Sequence, residues 1–171
     1  MAKAILLTGL SGAGKTTLAS ALRDAISEHN PCALLDGDEM RKGVCRELGF
    51  SPEDRAENIR RCGEIAKLLL AQGITVILAV IAPYQKLRDN LKELIGAENL
   101  YTVFVDCPVE VCIQRDPKKN YRKAYYGQLK NYTGIGDAYE IPENPDLIIR
   151  THLESREKSL KKLLEFIGKR V

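Results

Sequence analysis

Short apolar runs alternate along the chain with longer segments in which apolar residues recur every three or four positions. The runs have the length of buried strands, and the longer segments have the period of amphipathic helices. We predict a parallel sheet with helices on both faces, because right-handed crossover connections pack each helix back onto the sheet. The predicted strands are residues 4–7, 33–35, 74–80, 101–105 and 147–149, and the predicted helices are residues 16–28, 52–71, 84–94, 109–115 and 155–169.

The helix predicted from Pro52 has the clearest start signal in the chain. Ser51 can cap it, Pro52 suits its first turn, and Asp54 stands at the position that closes a capping box.

Residues 116–144 form the least regular stretch. It has no clear period and carries five tyrosines among lysines and glycines. A long stretch of this kind inside a compact domain is a functional lid or a disordered insert. We place the predicted lid at approximately 116–144, within a single domain that spans residues 1–171.

A glycine-rich motif lies directly between the first predicted strand and the first predicted helix. It has the form GxxxxGK(S/T), in which backbone N–H groups and a helix N-terminus hold phosphate, the lysine reaches the β- and γ-phosphates, and the hydroxyl can ligate Mg²⁺. We therefore predict that the chain binds a nucleoside triphosphate. The motif residues are Gly9, Leu10, Ser11, Gly12, Ala13, Gly14, Lys15 and Thr16.

Composition narrows the class of protein. The 171 residues are 44% hydrophobic and 29% charged, with a formal net charge of only +3, which gives no case for nucleic acid binding. No window of the sequence reaches the length of a membrane span, and we expect a cytoplasmic protein without a membrane partner. A nucleotide-binding chain can be a kinase, a GTPase switch, a mechanical ATPase or a non-catalytic module. The guanine-reading NKxD sequence is absent, and the chain is short for a mechanical ATPase with its accessory elements. A small-molecule kinase is therefore the favoured class.

Two further clusters are candidates for the chemistry. Asp36 and Asp38 follow the second predicted strand and could orient a hydroxyl or hold magnesium through water, although an ordinary acidic turn would look the same. Arg55 lies on the face that its helix should bury, where a charge is unexpected. It could point into a ligand cleft and bind an anion together with Arg41, or it could reach solvent from the first turn of the helix. Asn58 belongs to the same cluster.

Beyond these clusters, the chain resembles the adenylylsulfate kinase family over residues 9 to about 151. The resemblance implies a P-loop kinase fold with a five-stranded parallel sheet, helices on both faces and a lid. It also implies transfer of the ATP γ-phosphoryl group, with Mg²⁺, to the 3′-hydroxyl of adenosine 5′-phosphosulfate (APS) in sulfate activation; a homodimer is compatible with it. The matching stretches are GLSGAGKTT (9–17), LDGD (35–38), LGFSPEDRAENIRR (48–61), RDPK (115–118) and TGIGDAYEIPENPD (133–146).

The resemblance also implies roles for single residues. Asp36 would orient or deprotonate the 3′-hydroxyl, and Asp38 would lie beside the metal and the substrate and bind both. Lys15, which the motif predicts to reach the β- and γ-phosphates, is the second expected catalytic residue, and Thr16 is the second expected metal ligand. Phe50 and Tyr132 would sandwich the substrate adenine. The implied ATP site adds Thr17 and Arg115, the latter against the base, and the implied acceptor site adds Arg41, Arg55, Asn58, Ile81 and Lys118.

The chain departs from the family pattern at several positions. Ala82 stands before Pro83 where many members have serine, so a phosphoserine at this position is impossible and direct in-line transfer is expected. Lys119 and Asn120 replace the usual Gly-Leu, and Tyr125 replaces an arginine. The changes inside the lid could retune its closure, or they could mark a kinase for another small anionic or nucleotide-like hydroxyl acceptor. A non-catalytic nucleotide-binding module is the alternative from a different class of protein.

Overall fold

The computed structural model describes residues 2–129 and 131–168. The strands within these residues are β1 (Ala4–Thr8), β2 (Cys32–Asp36), β3 (Thr75–Ala79), β4 (Leu100–Asp106) and β5 (Leu147–Arg150). The helices are α1 (Lys15–Ser27), α2 (Gly37–Lys42), α3 (Pro52–Ala71), α4 (Gln85–Ile95), α5 (Val109–Arg115), α6 (Asn120–Tyr125) and α7 (Arg156–Gly168).

The five strands form one parallel sheet in the order β2-β3-β1-β4-β5, which confirms the predicted architecture. β1 is central and pairs with β3 on one side and β4 on the other. Every residue of β1 and β3 is buried, because helices cover both faces of the sheet. All five carboxyl ends therefore meet at one edge, and ligands of such sheets bind there.

Alternate strand residues feed two separate hydrophobic clusters, one on each face of the sheet. Ile5 and Leu7 pack with Leu22 of α1 and Leu163 of α7, while Leu6 packs with residues of α3 and α4 on the other face. This division follows from the two-residue period of a strand, which points successive side chains to opposite faces.

Several predicted boundaries shift by a residue or two, and two short helices were not predicted. α2 and α6 have six residues each, too few for an apolar period to show in the sequence. α6 lies inside the segment 116–144, where the Asp116 carboxylate accepts hydrogen bonds from the backbone N–H groups of Tyr121 and Arg122. Residue 169, the predicted end of the last helix, lies outside the described residues.

The start of α3 confirms one half of the predicted capping box. The Ser51 hydroxyl accepts from the backbone N–H of Asp54 at 3.1 Å. The Asp54 carboxylate, however, accepts from the backbone N–H of Gly49 at 2.9 Å and so fixes the approach to the helix instead of closing the box at Ser51.

None of the helices in the described part of the chain combines the length and hydropathy needed to span a bilayer.

Core burial predicts a clear difference between two leucines. Leu78 in β3 is fully buried, whereas Leu68 in α3 is 70% exposed. We expect Leu78→Ala to lower the free energy of unfolding by about 2–5 kcal/mol because it leaves a cavity. Leu68→Ala, the matched control, should change it by less than about 0.5 kcal/mol. Urea denaturation measures both, and equal losses would contradict the assignment of the core.

Candidate active site

The glycine-rich loop connects β1 to α1 and leaves the start of α1 open. Gly14 adopts a left-handed conformation with φ of +100°, and among the described residues no side chain caps the first turn of α1. The N–H groups of that turn therefore remain available to an anion, and the helix dipole favours negative charge there.

Two glycines of the loop are required by close packing. A Cβ on Gly9 would lie 2.4 Å from the carbonyl oxygen of Val105. Gly12 has φ of +78°, and a Cβ on it would lie 3.0 Å from the carbonyl oxygen of Cys112 in α5. The loop thus rests directly on the end of β4 and on α5.

Lys15 is buried beneath this loop. Its ammonium donates to the carbonyl oxygens of Gly9 at 2.8 Å and Leu10 at 2.7 Å. Burial lowers the pKa of Lys15 from 10.5 to about 8, and the positive charge of Lys118 is the second cause of this shift. The ammonium is held by carbonyl groups instead of a carboxylate, so its charge is not cancelled by a salt bridge.

Apart from Arg115, the other residues predicted to bind ATP lie in the glycine-rich loop or in the first turn of α1. Ala13 is buried, and its carbonyl oxygen accepts from the Thr151 hydroxyl at 2.7 Å. Ser11 and Thr17 line the cleft in front of the loop, together with Gly12, Gly14, Lys15 and Thr16.

Asp36 lies next to the loop, at the end of β2. One carboxylate oxygen caps α2 by accepting from the backbone N–H of Asp38 at 2.9 Å, and the other accepts from the Thr16 hydroxyl at 2.6 Å. The side chain is buried and lines the cleft. A carboxylate has about four acceptor sites, so Asp36 can still accept hydrogen bonds from a ligand.

Asp38 and Lys118 meet across the mouth of the cleft. The Lys118 ammonium donates to the Asp38 carboxylate, and both side chains are about half exposed. This ion pair links α2 to the beginning of the segment 116–144.

Arg41 and Phe50 form a stacked pair at the far end of the cleft. The Arg41 guanidinium lies 4.5 Å from the centre of the Phe50 ring and donates to the carbonyl oxygens of Leu48 and Gly49. Burial lowers the pKa of Arg41, and the positive charge of Arg55 adds to this effect.

Arg55, Asn58 and Tyr132 line the same cleft. Arg55 and Asn58 are both buried on the first two turns of α3. Within the described residues, the Asn58 side-chain nitrogen has no hydrogen-bond partner. The Tyr132 ring packs edge-on against the ring of Tyr121, with 5.2 Å between ring centres.

Arg115 and Ile81 take up the two remaining predicted positions. Arg115 ends α5 and donates to the carbonyl oxygens of Gly12 and Thr151, which places it beside the phosphate loop. Ile81 follows β3, and its carbonyl oxygen accepts from the Thr8 hydroxyl at 2.5 Å. Both residues line the cleft.

These side chains surround one cleft of about 610 Å³ at the carboxyl edge of the sheet. The structure thus brings most of the predicted site residues together in this cleft. Gly9, Leu10 and Ala13 do not line it, and their carbonyl oxygens accept hydrogen bonds from Lys15 and Thr151. Among the described residues, cationic side chains outnumber acidic ones in the lining, which suits a highly anionic ligand. The cations are Lys15, Arg41, Arg55, Arg115, Lys118 and Arg156, and the acids are Asp36, Asp38 and Glu154.

Sequence reasoning missed the residues that attach the segment 116–144 to the body of the protein. The Tyr84 hydroxyl donates to Asp137 at 2.5 Å, and Tyr139 is hydrogen-bonded to Thr8 at 2.9 Å. Arg88 donates to the carbonyl oxygen of Glu140. These partners are distant in sequence, so no local spacing points to them. Thr151, Glu154 and Ser159 also line the cleft and were not predicted.

The oxygen donors near the loop fit a magnesium ion. Thr16 and Asp36 bring a hydroxyl and a carboxylate within 2.6 Å of each other. Mg²⁺ prefers oxygen ligands and commonly takes one or two from the protein, with water and substrate phosphates completing the octahedron. Asp38 lies two residues further along and is engaged by Lys118.

Comparison with known proteins agrees with this geometry. The family model for adenylylsulphate kinase matches residues 1–150. The adenylyl-sulfate kinase of Pseudomonas aeruginosa is 49% identical over 164 residues, covering 95% of this chain and 84% of that protein. The structure of the Mycobacterium tuberculosis APS kinase CysC, in complex with AMPPNP and APS, superposes with a TM-score of 0.93 at 34% identity, covering 98% of both chains. A hexameric APS kinase from Thiobacillus denitrificans gives a TM-score of 0.75 at 30% identity, covering 99% of this chain and 29% of that one.

The parallel sheet, the phosphate loop and the cationic cleft define a P-loop kinase. The kinase fold is also shared with the APS kinase structures above. The family model and the relatives place it more narrowly: the chain belongs to the adenylyl-sulfate kinase family and is an ATP-dependent phosphotransferase.

Gly12 and Gly73 offer a matched test of the loop. Both have φ near +75°, but a Cβ on Gly73 meets no atom within 4 Å. An alanine at either position costs about 1–2 kcal/mol of stability through left-handed strain. We expect only Gly12→Ala to displace the loop from α5, and so to weaken AMPPNP binding at least tenfold in isothermal titration calorimetry. An affinity that stays within twofold for Gly12→Ala would contradict this role.

Proposed function

We propose that the chain transfers the γ-phosphoryl group of ATP to the 3′-hydroxyl of APS, giving 3′-phosphoadenosine 5′-phosphosulfate and ADP. The observation that carries the proposal is the position of Asp36, whose carboxylate lies 2.6 Å from the Thr16 hydroxyl at the start of α1. A buried carboxylate next to a triphosphate-binding loop is suited to orient a hydroxyl acceptor toward the terminal phosphate. The product fits sulfate activation.

The phosphate end of the cleft would hold ATP. The open N-terminus of α1 binds phosphate oxygens through backbone N–H groups, and Lys15 exchanges its two carbonyl partners for phosphate oxygens. Arg115 and Thr151 lie beside the loop, where the base of the nucleotide is expected. Thr16, with Asp38 nearby, would hold Mg²⁺, which would neutralise charge on the transferring phosphoryl group, and Asp36 would contact the ion only through water.

The opposite end would hold the acceptor. Arg41 has donors beyond the group that contacts the Leu48 and Gly49 carbonyls, and Asn58 has an unpartnered amide nitrogen within the described residues. With Arg55 and Lys118 they provide donors for the phosphosulfate group. The aromatic rings of Phe50 and Tyr132 line the same cleft and are suited to a flat base.

Transfer would proceed in one displacement. Asp36 orients the 3′-hydroxyl and accepts its proton, the hydroxyl oxygen attacks the γ-phosphorus, and ADP leaves. Ala82 cannot carry a phosphoryl group at the position where many family members have serine. The segment 116–144, tied to the body of the protein on both sides of the cleft, would exclude water, since open phosphoryl donors hydrolyse. A cytoplasmic location and a homodimer stay predictions.

An acceptor panel tests the proposed activity. We expect ADP release, measured in a coupled assay, with APS but not with adenosine or gluconate. Turnover with a different acceptor alone would replace the substrate, and ATP binding without any acceptor-dependent turnover would show a non-catalytic module.

Lys15→Ala tests the phosphate end of the cleft. Loss of its ammonium removes a preorganised charge that stabilises the transition state, so we expect kcat to fall about a hundredfold or more. A kcat close to that of the unchanged protein would refute the role of Lys15.

Arg41→Ala tests the acceptor end. We expect the KM for APS to rise about tenfold, the equivalent of one charged hydrogen bond, while the KM for ATP stays within twofold. Lys42→Ala is the matched control, because Lys42 lies on the same helix and its side chain is 71% exposed. A larger rise in the KM for ATP than for APS would reverse the assignment of the two ends.

A further inference from the structure

Arg55 makes three hydrogen bonds that join two distant parts of the chain. Its Nε donates to the carbonyl oxygen of Phe50 at 3.0 Å, Nη1 donates to the Thr133 hydroxyl at 2.7 Å, and Nη2 donates to the carbonyl oxygen of Asn131 at 2.5 Å. A guanidinium has five N–H groups, so two remain for a ligand. Arg55 can therefore hold the segment 116–144 and bind an anion in the cleft at the same time.

Of the Arg55 partners in this segment, Thr133 belongs to one tight turn, residues 132–137, and Asn131 directly precedes it. The Tyr132 carbonyl oxygen accepts from the backbone N–H groups of Ile135, Gly136 and Asp137, and the Gly134 N–H donates back to the carbonyl oxygen of Asp137. Because these bonds close the turn on itself, Thr133 and Asp137 move together. Tyr132, whose ring lines the cleft, begins the same turn.

Asp137 connects this turn to two helices. Its Oδ2 lies 3.8 Å from Nε of Arg55 on α3 and accepts from the Tyr84 hydroxyl, which precedes α4, at 2.5 Å. Its Oδ1 accepts from the backbone N–H of Ala138 at 3.0 Å. The carboxylate therefore has a different partner on each side, which leaves it little freedom to rotate.

Tyr84 is built to donate this hydrogen bond. Burial, together with the bond to Asp137, raises the pKa of Tyr84 to about 12, so the hydroxyl keeps its proton at neutral pH. Tyr84 directly follows Pro83, which fixes the backbone leaving β3. The position of Asp137 is thus set from the sheet edge as well as from α3.

We infer that Asp137 and Tyr84 are positioning residues for acceptor binding. They hold the turn 132–137 against α3, and through it the plane of the Arg55 guanidinium and the ring of Tyr132. The inference rests on the proposed function, because the anion that Arg55 binds is there taken to be the phosphosulfate of APS. Neither residue needs to touch the substrate to act in this way.

Two conservative substitutions separate positioning from general stability. Tyr84→Phe removes only the hydroxyl, and Asp137→Asn removes the charge while keeping the size of the side chain. We expect each to raise the KM for APS about tenfold and to leave the KM for ATP within twofold. Because both act through one contact, the double variant should raise the KM for APS little more than the stronger single variant. Tyr126→Phe and Asp24→Asn are matched controls at exposed positions.

Hydrogen exchange of the intact protein without substrate supplies a second measurement. Amides of residues 132–138 should exchange at least tenfold faster in Tyr84→Phe and Asp137→Asn than in the two controls, while amides of β1 stay unchanged. A variant that loses β1 protection as well has lost its fold, and the other variant then decides.

The outcomes are distinguishable from those for the proposed function. If the unchanged protein does not phosphorylate APS, the proposed function fails, and the exchange measurement still decides whether Asp137 and Tyr84 hold the turn. If APS is phosphorylated, the positioning role is overturned by an unchanged KM for APS, or by equal rises in KM for ATP and APS. Unchanged exchange at residues 132–138 overturns it in either case.

Discussion

The parallel pairing of β1 with both β3 and β4 is the constraint on which the whole site depends. It brings the ends of all five strands to one edge. The phosphate loop follows β1, where the strand order reverses: β2 and β3 lie on one side of β1, and β4 and β5 lie on the other. Asp36 comes to the loop because β2 ends at the same edge, two strands away. The phosphate loop and Asp36 are thus brought together by main-chain hydrogen bonding in the sheet.

Three cations of the cleft, Lys15, Arg41 and Arg55, share one further property: backbone carbonyls accept most of their hydrogen bonds. Lys15 is held by Gly9 and Leu10, Arg41 by Leu48 and Gly49, and Arg55 in part by Phe50 and Asn131. A carbonyl satisfies an N–H group without carrying a formal charge. The side chains are therefore fixed in position while their positive charge remains available to phosphate and sulfate groups.

The sequence predicted those features that are encoded locally. The strands could be read from their apolar runs, and the phosphate loop from eight consecutive residues. The helices α2 and α6 could not, because six residues are too few to show a period. Asp54 was expected to close a capping box at Ser51, but it accepts from Gly49 instead. The same residue at the same position can make either bond, so the sequence does not distinguish them. The contact of Asp137 with Tyr84 joins positions 53 residues apart, and it exists only because β3 and the turn 132–137 meet in space.

Two of the contacts that hold the segment 116–144 differ in strength. Lys118 and Asp38 are about half exposed, and an exposed ion pair contributes only about 0–1 kcal/mol and weakens as salt screens it. Arg55 is 6% exposed and makes three hydrogen bonds, so releasing the other end would leave a buried charge without partners. Salt should therefore break the contact of Lys118 with Asp38 first, while α6 stays anchored by Tyr121, which is 2% exposed and donates to the Ser11 carbonyl oxygen. A rise in ionic strength would then widen the mouth of the cleft and leave the turn 132–137 in place against α3.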